Sequence, residues 1–290
     1  MNRPTKHTSI DAKTCEQARL SRDARFDGLF FTGVKTTGIY CRPVCPAPAP
    51  KPHNIVYYAN AAAAAAAGFR PCLRCRPEAA PGSPLHRAGS ELLAAALRLI
   101  ENGALDRAPL AALCERIGIG ERHLRRLFAE QLGGSPLDVA ATRRLLFAKQ
   151  LLGETRLPIT EVAAASGYAS LRRFNAAFLA SYGKPPRELR GKRAVYTDGS
   201  AVQLRLPYRP PYDFAALVNF HARRALPGVE CVEANSYHRT IVVDGEPGSI
   251  SVTRIADDDA LELRIHGVRT SALGVVAARV RRMFDVDADP

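Results

Sequence analysis

The chain has 290 residues, 47% of them hydrophobic, so two or three domains can each bury a core of ordinary size. The net charge is +13, with +7 in residues 1–80, +8 in residues 81–193 and −2 in residues 194–290, which indicates that the first two segments bind a polyanion. No apolar run approaches the ~18 residues of a membrane span and none follows the charged N-terminus, which excludes a membrane protein and a secretory signal and predicts a cytoplasmic chain.

The first segment predicts a small mixed α+β domain. Residues 26–40 are rich in β-formers and predict one or two strands, and residues 56–58 predict another. Asn60 is a suitable cap for a helix through the alanine run 61–67, which Gly68 would end. Alanine is the strongest helix former, so this low-complexity run need not be disordered.

Four cysteines accompany these elements as two close pairs. Cys41 and Cys45 have three residues between them, Cys72 and Cys75 have two, and 26 residues separate the pairs. This spacing is typical of a tetrahedral Zn²⁺ site. Zinc binds thiolates, so the loaded site would carry a formal charge of 2− within a basic segment. The spacing alone leaves a purely structural zinc site open, because most four-cysteine sites are structural.

The residues around both pairs resemble the N-terminal domain of the Ada-type DNA repair regulators. The likeness extends over residues 22–77 and depends on Thr-Thr-Gly-Ile-Tyr-Cys-Arg-Pro-Val-Cys-Pro at 36–46 and Ala-Gly-Phe-Arg-Pro-Cys-Leu-Arg-Cys-Arg-Pro at 67–77. In that family the first of the four cysteines takes a methyl group from a methyl phosphotriester in the DNA backbone. The resemblance implies this role for Cys41, with the other three cysteines as companion zinc ligands.

The resemblance also implies DNA contacts beside this site. Arg70 matches the family's phosphate contact and Thr37 matches a hydroxyl that contacts DNA, whereas Pro46 stands where some members have an arginine. Methylation of Cys41 would take the site from 2− to 1− and should tighten DNA binding by about a few kcal/mol before salt screening.

Residues 81–193 predict two similar helical units. Residues 81–84 are a candidate linker, and a helix follows from about Ser90 to Glu101. Each unit then has a short helix, a glycine-containing turn at 118–120 or 167–169, and a helix with one apolar and one polar face. This is the pattern of a helix-turn-helix motif, whose second helix enters the major groove. The candidate DNA contacts are Arg122, Arg125, Arg126, Arg172, Arg173 and Asn175.

A helix over about 136–152 joins the two units, and the whole of residues 90–190 resembles the AraC-type DNA-binding domain. The resemblance implies contact with two successive faces of the major groove. A helical bundle with solvent-exposed arginines is the alternative, and the repetition of the unit argues against it. We interpret His123 as a surface or groove residue, because no partner lies at metal-ligand spacing.

Residues 194–290 predict a β-α-β-β-β-β-α order, a layer of mainly antiparallel sheet with two helices. The predicted strands are 201–206, 228–234, 237–243, 249–255 and 261–266, and the predicted helices are Asp213 to about Leu226 and 271–284.

Residues 206–213, 229–230 and 237–241 resemble the N-terminal domain of the 3-methyladenine DNA glycosylase II (AlkA-like) family. There, this domain precedes a helical catalytic domain with a catalytic aspartate. The sequence up to Pro290 contains no such domain, so the resemblance implies the accessory domain and not glycosylase activity. We expect the tail residues Asp285, Asp287 and Asp289 to be solvent-exposed rather than catalytic. We expect Cys15, Cys114 and Cys231 to be small buried residues and not disulfides.

The sequence therefore predicts a multidomain protein with domains at 1–80, 85–192 and 196–290. These are a zinc-binding methyl acceptor of α+β type, an all-α double helix-turn-helix domain and an antiparallel-sheet domain. The expected activity is a single methyl transfer per molecule that activates promoter binding, with double-stranded DNA and RNA polymerase as partners of a monomeric chain. The alternatives are a zinc-containing regulator without methyl transfer, and part of a glycosylase completed by a further catalytic domain. No Pro-Cys-His-Arg motif is present, so repair of O6-methylguanine is not predicted.

Overall fold

A four-stranded sheet holds the N-terminal segment together. The structure, a computed structural model, describes residue 8 and residues 10–81, 91–190 and 201–288. The sheet order is β3-β1-β2-β4, in which β1 is antiparallel to β2 and β3, and β4 is parallel to β2. The elements are α1 (Ala12–Ser21), β1 (Phe31–Val34), β2 (Ile39–Cys41), β3 (Ile55–Tyr58), α2 (Ala61–Ala66) and β4 (Arg70–Pro71).

Helix α2 contacts two hydrophobic cores. Ala61, Ala63 and Ala64 pack with residues of the sheet that include Phe31 and Tyr40. Ala62, on another side of the helix, belongs to the core of the helices that follow. Those helices are α3 (Glu91–Glu101), α4 (Ala104–Arg107), α5 (Leu110–Ile117), α6 (Glu121–Leu132) and the first part of α7 (Pro136–Glu154). Small alanine side chains on every side allow the close approach of both neighbours.

Helices α5 and α6 form the first predicted helix-turn-helix unit. Gly118 follows α5 with φ of 78°, a left-handed conformation that glycine adopts without strain, and its N–H donates to the Cys114 carbonyl at 2.9 Å. Leu124 and Phe128 of α6 are fully buried, as the apolar spacing predicts. The chain divides into two compact units, residues 1–146 and 147–290, and this helical pair lies in the first.

The second unit contains α8 (Ile159–Ala165), α9 (Leu171–Tyr182) and the C-terminal sheet. The Ser170 side chain caps α9 by accepting from the Arg173 N–H at 3.3 Å. Phe174 and Phe178 are fully buried with ring centroids 4.8 Å apart. Arg190 donates to the carbonyl oxygens of Thr155 and Leu157 at 3.2 and 2.6 Å, so the end of this helical segment is tied back to its beginning.

The C-terminal sheet has the order β5-β9-β8-β7-β6, and all its pairs are antiparallel. Its inner face carries fully buried side chains such as Leu204, Val252 and Leu263. The elements are β5 (Ala201–Pro207), α10 (Phe214–Ala222), β6 (Glu230–Glu233), β7 (Ser236–Val243), β8 (Glu246–Arg254), β9 (Ala260–His266) and α11 (Leu273–Met283).

Helix α10 ends at Ala222, so the prediction of a helix to about Leu226 was too long. Leu226 precedes a proline, which disfavours the helical conformation there, and its carbonyl instead accepts from the Val229 N–H at 3.0 Å in the turn that leads to β6. Helix α11 begins at Leu273, after a single turn of 3₁₀ helix over Thr270–Ala272.

Two expectations about individual side chains were wrong. Cys231 is exposed, because it alternates with Val232 on the edge strand β6 and its cross-strand partner is His238 on the outer side of the sheet. Asp287 is buried, because its carboxylate accepts from the Arg281 Nε at 3.1 Å. Cys15 and Cys114 are buried as expected, and Asp285 is exposed.

Several predicted features lie outside the described residues. They are residues 82–84 of the linker, the helix start at Ser90, Asp289 and the boundaries at 85, 192 and 196, so the division into three domains stays a prediction. Among the described residues, no helix combines the length and the apolar character needed to cross a bilayer.

Candidate metal centre and nucleic-acid interface

The four predicted zinc ligands come together. The Sγ atoms of Cys41, Cys45, Cys72 and Cys75 all lie within 4.8 Å of one another. A tetrahedral site with Zn–S bonds of 2.3 Å requires sulfurs about 3.8 Å apart, so the cluster fits zinc after a small contraction. Cys72 and Cys75 are buried, whereas Cys41 and Cys45 are partly exposed. The cluster therefore has one closed side and one side open to solvent.

The short parallel pairing of β2 with β4 sets the distance between the two cysteine pairs. The Arg70 N–H donates to the Gly38 carbonyl at 2.7 Å, and the Cys72 N–H donates to the Tyr40 carbonyl at 3.0 Å. Each pair then turns tightly, since the Cys45 N–H donates to the Arg42 carbonyl and the Arg76 N–H donates to the Cys72 carbonyl, both at 3.2 Å. The backbone thus aims sulfurs from two distant parts of the chain at one point.

Backbone N–H groups donate to three of the four sulfurs. Cys75 Sγ accepts from the Arg42 N–H at 3.3 Å, Cys45 accepts from Ala47, and Cys72 accepts from Cys75. A donor withdraws electron density from a thiolate, so these hydrogen bonds stabilise the ionised form of the sulfurs that accept them.

Hydrogen bonds within the cluster separate the thiol pKa values. Contact with Cys45 raises the pKa of Cys41, and contact with Cys41 lowers the pKa of Cys45 to about 7 and also lowers that of Cys72. The pKa of Cys75 is raised, first by its contact with Cys41. Four negative sulfurs at this spacing repel one another, so complete ionisation requires a bound cation.

A buried ion pair supports the cluster. Arg42 Nε donates to Asp27 Oδ1 at 2.8 Å, its Nη2 contacts Asp27 Oδ2, and its Nη1 donates to the Cys75 carbonyl at 3.0 Å. The two side chains are only 16% and 6% exposed. Sequence analysis missed both roles, because no local pattern connects an arginine between two cysteines with an aspartate 15 residues earlier.

The residues predicted to contact the DNA backbone lie at the surface around β2, the strand that ends at Cys41. Thr37 and Arg70 are both exposed, and the Arg70 N–H donates to the carbonyl of Gly38, the residue after Thr37, at 2.7 Å. Pro46 is also exposed, and the guanidinium of Arg22 approaches its carbonyl oxygen at 3.5 Å. A cation therefore lies beside the position where the sequence lacks the expected arginine.

The predicted groove-contacting residues are exposed on α6 and α9. On α6, Arg125 Nη2 pairs with Glu121 at 2.9 Å, and Arg126 Nη2 lies 3.4 Å from His123 Nδ1. His123 is exposed and lies outside the sulfur cluster. On α9, the exposed residues are Arg172, Arg173 and Asn175.

Each of the three segments is similar to a known protein family. Three family models match: metal binding domain of Ada at residues 14–78, helix-turn-helix domain at 113–192, and AlkA N-terminal domain at 203–290. The fold and the site thus define a multidomain protein with a four-cysteine zinc site, a helix-turn-helix region and a C-terminal sheet domain.

Relatives that match more than half of the chain give the family. The chain is 39% identical over 285 residues to the probable bifunctional transcriptional activator/DNA repair enzyme AlkA of Mycobacterium tuberculosis, covering 97% of this chain and 57% of that protein. It is 30% identical over 176 residues to the bifunctional transcriptional activator/DNA repair enzyme AdaA of Bacillus subtilis, covering 60% of this chain and 80% of that protein. The chain belongs to the Ada family, its residues 14–78 match that family's metal-binding domain, and its four clustered cysteines are able to hold a metal ion.

One solved structure concerns the zinc segment. The DNA methyl phosphotriester repair domain of E. coli Ada is 48% identical over 25% of this chain and 79% of that domain, with a TM-score of 0.23.

Proposed function

We propose that this protein senses DNA alkylation by taking one methyl group from a methyl phosphotriester onto Cys41. The main support is the position of Cys41, a partly exposed sulfur in a cluster of four, beside the exposed Thr37 and Arg70. A closed structural zinc site would have no need of a ligand that is accessible to solvent.

The chemistry is a direct displacement. Bound zinc keeps the cysteines deprotonated at neutral pH. A lone pair of the Cys41 sulfur forms a bond to the methyl carbon while the bond between that carbon and the phosphate oxygen breaks. The electrons of the broken bond stay on the oxygen, which leaves a phosphodiester anion. No proton moves, and the product is a thioether, so the protein acts once. Arg70 and Arg22 supply positive charge where the anion forms.

Methylation would also change how the protein binds DNA. A neutral thioether replaces a thiolate, so one negative charge disappears beside the phosphate backbone. At about 5 Å and an effective dielectric constant near 20, this change is worth about 3 kcal/mol before salt screening. We infer that tighter DNA binding then allows α6 and α9 to contact promoter bases, and that the protein acts as an activator with RNA polymerase as partner.

The decisive experiment uses duplex DNA that carries methyl phosphotriesters. We expect peptide mass spectrometry to find one added methyl on Cys41 in the wild type and in Cys231→Ser, a control that removes the exposed cysteine. Cys41→Ser should gain none. Unmodified Cys41 after exposure, with intact DNA binding, would instead support a regulator without methyl transfer.

A contribution to base excision is the second candidate, favoured by the match of residues 203–290 to the AlkA N-terminal domain. It requires release of 3-methyladenine from alkylated DNA. We expect no release by this chain, and the same DNA substrate can be assayed for free base.

Sedimentation of the protein tests the proposed monomer.

A further inference from the structure

The edge strand of the C-terminal sheet is held by a helix of the DNA-binding region. Within the described part of the chain, β5 is an edge strand whose one neighbour is β9. Both polar backbone groups of Arg205 point outward and bind side chains of α7: its carbonyl accepts from Gln150 Nε2 at 2.8 Å, and its N–H donates to Glu154 Oε2 at 3.0 Å. Two side chains one helical turn apart thus replace the missing neighbouring strand.

These groups are fixed on both sides of the contact. Gln150 Nε2 also donates to Glu154 Oε2 at 3.0 Å, which holds the two side chains in one arrangement. The Arg205 side chain donates from Nε to Asp258 Oδ2 at 2.6 Å, which anchors β5 to the turn before β9. The hydrogen bonds therefore join two rigid elements.

A second contact involves the first helix of the second helix-turn-helix unit. Helix α8 packs against the 3₁₀ turn Thr270–Ala272. A Cβ placed at Gly274 would lie 3.3 Å from the Phe147 ring and 3.7 Å from the Ala165 carbonyl. Gly274 thus allows α11 to approach both α7 and α8 closely.

We propose that the sheet domain, residues 201–288, is a structural partner of the second helix-turn-helix unit, and that Gln150 and Glu154 are the positioning residues of this contact. Helix α8 packs directly against the recognition helix α9, so whatever fixes α7 and α8 also fixes α9. A recognition helix must be held rigidly to contact bases selectively. The sheet domain then has a role in DNA binding that needs neither glycosylase chemistry nor methyl transfer.

The test compares Glu154→Ala with Glu154→Gln in the full chain. Alanine removes the acceptor for the Arg205 N–H, whereas the glutamine amide oxygen keeps it. We expect hydrogen exchange of α8 and α9 amides to become about fivefold faster in Glu154→Ala and to stay at the wild-type rate in Glu154→Gln. This measurement needs no DNA, so its outcome is independent of the proposed sensing function.

DNA binding provides the second readout. A duplex selected from random sequence with the wild-type chain is footprinted with each variant. Protection by α9 should weaken about fivefold in Glu154→Ala, while protection by α6 is retained. Gly274→Leu, which pushes against Phe147, should act like Glu154→Ala, and the exposed control Arg264→Ala should act like the wild type. Wild-type exchange and footprints in both Glu154→Ala and Gly274→Leu would overturn the proposal.

Discussion

The Asn60 side chain donates a hydrogen bond from Nδ2 to the carbonyl oxygen of Leu132, 72 residues later, at 3.1 Å. The same side chain caps α2, because its Oδ1 accepts from the Ala63 N–H at 2.9 Å. Asn60 is only 6% exposed, so this amide is a buried polar link between the start of α2 and the end of α6. Within the first unit, the segment with the zinc ligands is thus tied to the first recognition helix.

Substitutions at Asn60 separate its two hydrogen bonds. Asn60→Ala loses the cap and the link, and should cost about 2–3 kcal/mol of unfolding free energy. Asn60→Ser retains a capping oxygen but cannot reach Leu132, and should cost about 1 kcal/mol. Denaturant unfolding of the three proteins measures the difference. Equal losses of unfolding free energy in Asn60→Ala and Asn60→Ser would mean that the hydrogen bond to the Leu132 carbonyl carries the whole effect.

Removing Arg42 should severely destabilise the zinc segment. Arg42→Ala leaves the buried Asp27 carboxylate without this partner, which typically costs about 3–5 kcal/mol. Arg25→Ala is the matched control, since the Arg25–Asp23 pair is 70% exposed on the arginine side and an exposed pair contributes little to stability. Thermal unfolding of zinc-loaded protein provides the comparison. Similar losses in the two variants would show that the buried pair does not support the site.

Chelating the metal should unfold the sheet around the cysteines. The β2–β4 pairing covers two residues of each strand, so it offers little stability of its own. Metal binding supplies folding free energy directly in small sites of this kind. We expect loss of amide protection in residues 31–75, restored by zinc in the wild type and in Cys231→Ser. Cys75→Ser should recover poorly, and protection that survives chelation would contradict this account.

Asn175 and Arg172 should differ in what they recognise. An asparagine amide can bind adenine through two hydrogen bonds, so Asn175→Ala should lose about 1–3 kcal/mol at a single base position. If Arg172 binds phosphate, Arg172→Ala weakens all sequences equally and reduces the salt dependence of binding. Selection from random DNA and salt titrations distinguish the two. An unchanged base preference in Asn175→Ala would remove this residue from base recognition.

Local patterns predicted the elements and the metal ligands because both depend on short-range spacing. Two close cysteine pairs indicate a metal site whatever the fold, and Leu124 and Phe128 mark the buried side of a helix by helical periodicity alone. Asn60 was predictable as a cap from its own neighbours, but its bond to Leu132 was not, because nothing in either segment specifies the other. Tertiary packing also produces the Arg42–Asp27 pair, the burial of Asp287 and the contact of Glu154 with β5, so local patterns could not predict them.

The uneven exposure of the remaining thiols determines which cysteine a soluble methylating reagent would attack. Burial raises the pKa of Cys15 to about 11 and raises that of Cys114, so both stay protonated and shielded from electrophiles. Cys231 is exposed to solvent on the edge strand β6. Peptide mass spectrometry after treatment with free alkylators should thus find background labelling at Cys231 and none at Cys15 or Cys114, and Cys231→Ser removes that background from an assay of Cys41.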